Sequence, residues 1–172
     1  MLLTSKFFKN ADPETAKALR VLAEIFQRCS EEEKRKLEEL VNKAEYVDPQ
    51  LRFIVLPPTL ENDPVFLAKY DPYYESGSFI NSLIQSYRPV PVLSHREAEE
   101  LFRKECWRME YFRRGTQIVY YKIPHYEKVL VEIRGQKYTV IFGYQTRTAS
   151  GRGLGWTVLF AVRGDWEPPK EV

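Results

Sequence analysis

The apolar positions change period along the chain. From Asp12 to Ala44 they recur every three or four residues: Leu19, Leu22, Phe26 and Cys29, with Val21 and Ile25 beside them, then Leu37, Leu40, Val41 and Ala44. That spacing lays a stripe on one face of a helix. Each run opens on a start signal. Asp12 suits an N-cap, Pro13 the first helical position and Glu14 the positive end of the helix dipole. Ser30 and Glu33 make the capping-box pattern. The two runs are nearly contiguous, so residues 1–48 are expected to form a helical hairpin. The charges "EEEKRK" read as its solvated face.

Residues 49–93 change character. Seven of the eleven prolines fall here, at 49, 57, 58, 64, 72, 89 and 91. "LRFIVL" is a short strand candidate, "DPVFLAKY" one or two helical turns, and "SFINSLIQSY" a helix. The stretch is too apolar for a flexible linker. It is expected to be irregular structure wrapped on the core. "SHREAEELFRKECWRMEYFRRG" then opens with a second capping box, Ser94 and Glu97. Ala98, Leu101, Phe102, Met109 and Phe112 suit a helix running as far as Gly115. The alternation Trp107, Met109, Tyr111 leaves a strand open for its last part.

Beyond Gly115 the period is two. "TQIVYYKI", "YEKVLVEI", "KYTVIFGYQT" and "GWTVLFAVR" are four strand candidates, and their short connections favour antiparallel neighbours. Val129, Val131 and Ile133 share one face. So do Tyr138, Val140, Phe142 and Tyr144, and then Trp156, Val158, Phe160 and Val162. Tyr138 and Tyr144 therefore read as core. The opposite face carries Lys128, Glu132, Lys137, Thr139, Gln145, Arg147, Thr157 and Arg163 around a greasy row of Leu130, Ile141 and Leu159. Either a helix layer or a partner covers that row; the N-terminal hairpin is the expected cover. The class is α+β, one domain over 1–172: helical hairpin (1–48), irregular Pro-rich middle (49–93), then helix plus antiparallel sheet of about four strands (94–164). The tail "DWEPPKEV" (165–172) reads as a surface segment.

Composition changes this picture little. A hydrophobic fraction of 44% and a charged fraction of 29% are ordinary for a globular chain. Cys29 and Cys106 are far apart and unpatterned, so buried thiols in a reducing compartment are expected rather than a disulfide framework. The start "MLLTSKFFKN" has no signal-peptide pattern, and no apolar run approaches a membrane span. A cytoplasmic location without membrane contact is expected. Charge is more informative. Residues 107–164 hold ten Lys or Arg and three acids, a net +7, against +2 for the whole chain. A basic region of that kind recruits polyanions.

The candidate chemistry follows. "QTRTASGRGLGW" combines Arg147 and Arg152 with Thr148, Ser150 and three glycines. Glycine lets the backbone approach a phosphate, and Arg grips its oxygens in two places. The loop lacks the Gly-Lys-Ser/Thr of a Walker loop. It is equally the composition of a plain hairpin turn. Tyr120 and Tyr126 are candidate stacking platforms for RNA bases beside Lys128 and Lys137. The expected function is nucleic-acid binding, RNA more than DNA, with phosphates held by Arg147, Arg152, Thr148, Ser150, Lys128 and Lys137. A second reading is a metal-independent, toxin-like ribonuclease using His125 as base with Lys128, Arg147 and Thr157. A third is an assembly subunit that associates with itself or with an acidic protein partner through an aromatic-rich surface. Cys29, His95, Cys106 and His125 match no zinc spacing, so neither metal nor cofactor is expected.

Overall fold

The computed structural model describes residues 13–50, 52–69, 87–146 and 153–170, excepting the side chains at 14, 15, 18, 19, 21, 22, 25, 145, 146 and 153–155. The chain is α+β, in two compact units, Met1–Val90 and Pro91–Val172.

In the first unit the two expected helices form, α1 (Pro13–Gln27) and α2 (Glu31–Lys43). Ser30 and Glu33 exchange both bonds of the capping box at the start of α2. The cap at Asp12 lies outside the described residues. Leu37, Val41 and Ala44 are buried, as their stripe requires.

Where the middle is described, it is sheet rather than irregular structure. β1 (Tyr46–Val47), β2 (Phe53–Leu56), β3 (Val65–Lys69) and β4 (Tyr87–Val90) pair in order as an antiparallel sheet. "DPVFLAKY" is therefore a strand rather than helical turns. Phe66 and Ala68 on β3 are fully buried with Phe53, Ile54 and Val55 on β2. The alternating burial along Val65–Lys69 is that of a half-buried strand. Buried Asp48 holds the turn between β1 and β2, accepting from the Gln50 and Arg52 amides and from the Arg52 guanidinium. "SFINSLIQSY" lies outside the described residues up to Ser86.

In the second unit β5 (Val92–Leu93) leads into α3 (His95–Glu105), again opened by a complete capping box, Ser94 with Glu97. The helix stops at Glu105, ten residues short of Gly115. From Trp107 the chain is strand: β6 (Trp107–Arg114) and β7 (Gln117–Pro124) form a two-stranded ribbon of their own. Its loop has positive φ at Gly115 only (66°), the pattern of a type II′ turn.

β8 (Tyr126–Ile133), β9 (Gln136–Thr146) and β10 (Gly153–Arg163) form the antiparallel sheet, with β5 parallel to β10 at its edge. The sheet thus has four strands, but β7 is not among them. Arg134 and Gly135 both have positive φ (50° and 82°), a type I′ turn between β8 and β9.

A bulge reorganises the faces. The pairing of β10 with β9 shifts between Val158 and Phe160. Phe160 and Val162 therefore leave the face of Val140 and Phe142 and join Ile141 on the other. There they pack with Ala98, Phe102 and Cys106 of α3 and its cap, and with Trp166. Within the second unit the greasy row is covered at Ile141 and Leu159 by α3, while Leu130 stays exposed. The tail is no loose surface segment. Trp166 is buried, packed edge-on against Phe102 and Phe160. Buried Thr139 secures it: Oγ1 donates to the Gly164 carbonyl at 2.7 Å and accepts from the Trp166 amide at 2.9 Å.

Candidate nucleic-acid interface

Among the described residues of the second unit, the ribbon β6–β7 is the most exposed element. Strand alternation gives it two faces, and both carry large rings. One face pairs Tyr111 with Tyr120, 62% and 63% exposed, their ring centroids 6.2 Å apart. The other brings Phe112 and Tyr121 together at 5.8 Å, 48% and 43% exposed. Met109 and Ile118 are also exposed. Four cations, Arg108, Arg113, Arg114 and Lys122, stand against one carboxylate, Glu110. Arg108 pairs with Glu110 at 2.7 Å. Among the described residues Arg113, Arg114 and Lys122 form no ion pair.

At the ribbon's base the His125 amide donates to the Cys106 carbonyl at 2.7 Å. The imidazole meets two rings from the sheet: Trp156 edge-on at 4.7 Å and Tyr144 at 5.7 Å. Tyr144 and Trp156 are paired residues on β9 and β10, their rings 5.7 Å apart, each 40% exposed. Burial among these groups, then the nearby Arg108 charge, holds the His125 pKa below its usual range, with Glu110 acting in the opposite sense. The ring is therefore chiefly neutral at neutral pH.

The sequence-derived candidates scatter. Tyr120 is an open platform. Tyr126 is half-buried with its ring 4.9 Å from Phe102, so it is core-facing rather than a platform. Tyr144, expected in the core, is exposed. Lys137 is exposed on β9. Lys128 is engaged with the tail: its Nζ donates to Asp165 at 3.1 Å, the Trp166 carbonyl at 3.4 Å and Glu167 at 2.7 Å. The Glu167 hydrogen bond leads the interactions that raise its pKa. The Thr157 hydroxyl is buried with no hydrogen-bond partner among the described residues. Arg147, Thr148, Ser150 and Arg152 lie outside the described residues.

Of the ribonuclease set, the described members His125, Lys128 and Thr157 do not converge on one point, and Arg147 lies outside the described residues. Trp156, on the His125 ring, and Thr157 point to opposite faces of β10. Lys128 is already neutralised by two carboxylates. Among the described residues no cluster of His, Cys, Asp or Glu has the makings of a metal site, and no helix is long and apolar enough to cross a membrane. Sequence reading left β6 open between helix and strand, and the alternation of Trp107, Met109 and Tyr111 is the signal that the strand follows; what it missed is the pairing of β6 with β7 as a separate ribbon. Comparison with known proteins brings no relative: no family model, no curated protein and no solved structure matches the chain.

Proposed function

We propose that this chain binds nucleic acid, RNA in preference to DNA, and that the β6–β7 ribbon is its main contact. The observation that carries the reading is the ribbon itself, with solvent-facing aromatic pairs set between arginines and a lysine. Phosphates are attracted by the excess of cations, and exposed rings offer stacking surfaces that RNA loops and single strands can use. Lys137 and, outside the described residues, Arg147 and Arg152 add to the positive charge of the C-terminal half of the sequence. Lys128 and Tyr126 have a structural role in this reading. Buried free thiols at Cys29 and Cys106 suit a reducing compartment such as the cytoplasm.

The test is an anisotropy titration of a labelled RNA at several salt concentrations. The association constant should fall linearly with salt on logarithmic axes, by about 0.7 to 0.9 per phosphate neutralised. Replacing Arg113 and Arg114 by Ala should weaken binding across sequences and reduce that slope by about 1 to 2. Absence of binding to any RNA or DNA at low salt contradicts the proposal. One feature favours an alternative, association with a second copy or an acidic protein: the ribbon exposes rings on both faces, as an arm clasped by a partner would. Light scattering on nuclease-treated protein separates the two, since a stable oligomer supports the alternative.

A further inference from the structure

Resting on the nucleic-acid reading, we infer that the ligand is a single strand, and that its bases stack along one continuous aromatic track: Phe112 and Tyr121 on the ribbon, then His125, Tyr144 and Trp156 at its base. The register places the track on one side. Arg108 lies opposite Ile123, Glu110 opposite Tyr121 and Phe112 opposite Val119. Residues two apart share a face, so Tyr121, Ile123 and His125 continue one row beside Arg108, Glu110, Phe112 and Arg114. The electrostatic influence of Arg108 and Glu110 on His125 agrees with that side. His125 then hands the row to the sheet through its ring contacts with Trp156 and Tyr144. At a rise of about 3.4 Å per residue, the ribbon section from Gln117 to His125 alone is about 27 Å long.

Three features favour a single strand over a duplex. The rings are hydrocarbon faces, and a duplex keeps its base faces stacked inside, where no side chain reaches them. A ribbon that reads a duplex groove does so with polar side chains on base edges. Here Phe112, Tyr121 and Ile123 occupy such positions. Arg114, with no ion pair among the described residues, stands near the tip of the track, and Arg108, paired with Glu110, near its base; cations beside stacked bases suit a single-strand backbone. The aromatic groups at the base rest against one another, which fixes them before any ligand arrives and lowers the ordering cost of binding.

The probe is a mixed-sequence RNA of about twelve nucleotides, a length within the range of single-strand sites, used alone and annealed to its complement. The readout is tryptophan fluorescence of the full chain, because of its three tryptophans Trp156 is exposed on the track, Trp107 is half-buried on the ribbon's other face and Trp166 is buried. The single strand should bind at least about tenfold more tightly than the duplex at equal salt, with a quench that Trp156→Phe largely removes. Phe112→Leu with Tyr121→Leu keeps apolar bulk and removes the stacking faces. That pair should weaken binding about tenfold with the salt slope unchanged, whereas Tyr111→Leu with Tyr120→Leu on the other face should change it less than about threefold. Unfolding midpoints confirm that each variant is folded. Equal or tighter duplex binding, a quench that survives Trp156→Phe, or ring variants without effect overturn the track yet leave salt-dependent binding intact. No binding of either probe overturns the broader reading as well. A dimer that hides Trp156 from the RNA overturns the track and assigns the surface to a second copy.

Discussion

Two antiparallel structures in one unit, the β6–β7 ribbon and the β8–β9–β10 sheet, share a residue pattern and have opposite surroundings. Both alternate with period two and both are rich in aromatic and β-branched residues. In the sheet most of those residues go inside, Tyr144 and Trp156 being exposed. Val140, Ile141, Phe160, Ala161 and Val162 are completely buried, and α3 covers one face. In the ribbon Met109, Tyr111, Phe112, Ile118, Tyr120 and Tyr121 all face solvent. A two-stranded ribbon gains little from its own pairing and is marginal in isolation. Large rings kept exposed there do not serve stability, so they point to binding. In the function we propose, the sheet is the scaffold and the ribbon the working surface.

The largest effect expected from this contrast is in the sheet. Phe160 is fully buried between Phe102, Ile141 and Trp166. Phe160→Ala should cost about 3–5 kcal/mol in chemical denaturation. A loss near zero would mean that the α3-covered core does not hold the unit together. Gly143 comes next. A Cβ there would stand 2.5 Å from Leu159 Cδ1, the side chain at the bulge. Gly143→Ala should therefore cost about 1–3 kcal/mol, as overpacking does. A neutral result would show that Leu159 moves aside freely.

The ribbon should answer differently. Tyr111→Thr with Tyr120→Thr removes one exposed cross-strand pair. The change in stability should stay below about 1 kcal/mol. A larger loss would mean that these rings are structural and would break the contrast. The smallest effect is at His125. Its folded pKa lies below the unfolded one, so the unfolded state binds the proton more readily. Its contribution to stability is present above the ordinary histidine pKa and is lost as pH falls through the depressed folded value. His125→Gln should flatten the stability curve in that window. An unchanged curve would remove the imidazole from the account.

Much of the fold was legible in the sequence, and the reasons are local. Ser30 with Glu33 and Ser94 with Glu97 announce their helices because a capping box needs only neighbouring residues. β8, β9 and β10 announce themselves by alternation. What stayed hidden depends on distant partners. Nothing local tells β7 to pair with β6 rather than with β8. The bulge at Leu159 inverts the faces of Phe160 and Val162, and a strict count of two cannot foresee it. "DPVFLAKY" carries proline and alanine among its apolar residues, and only its pairing with β2 and β4 makes it a strand. The candidate site was legible in type but not in place. The aromatic and basic character of the C-terminal half was visible in its composition. That Lys128 holds the tail and Tyr144 faces solvent required the register.

One variant tests the division between scaffold and working surface most directly. Trp107 and Pro124 face each other across the base of the ribbon. A two-residue Asn-Gly turn suits such a hairpin closure, so Arg108–Ile123 can be replaced by Asn-Gly. The shortened chain should unfold cooperatively near the midpoint of the full chain, and RNA binding measured by anisotropy should be lost. RNA binding that persists undiminished in the folded, ribbon-less chain would contradict the claim that β6–β7 is the surface this protein works with.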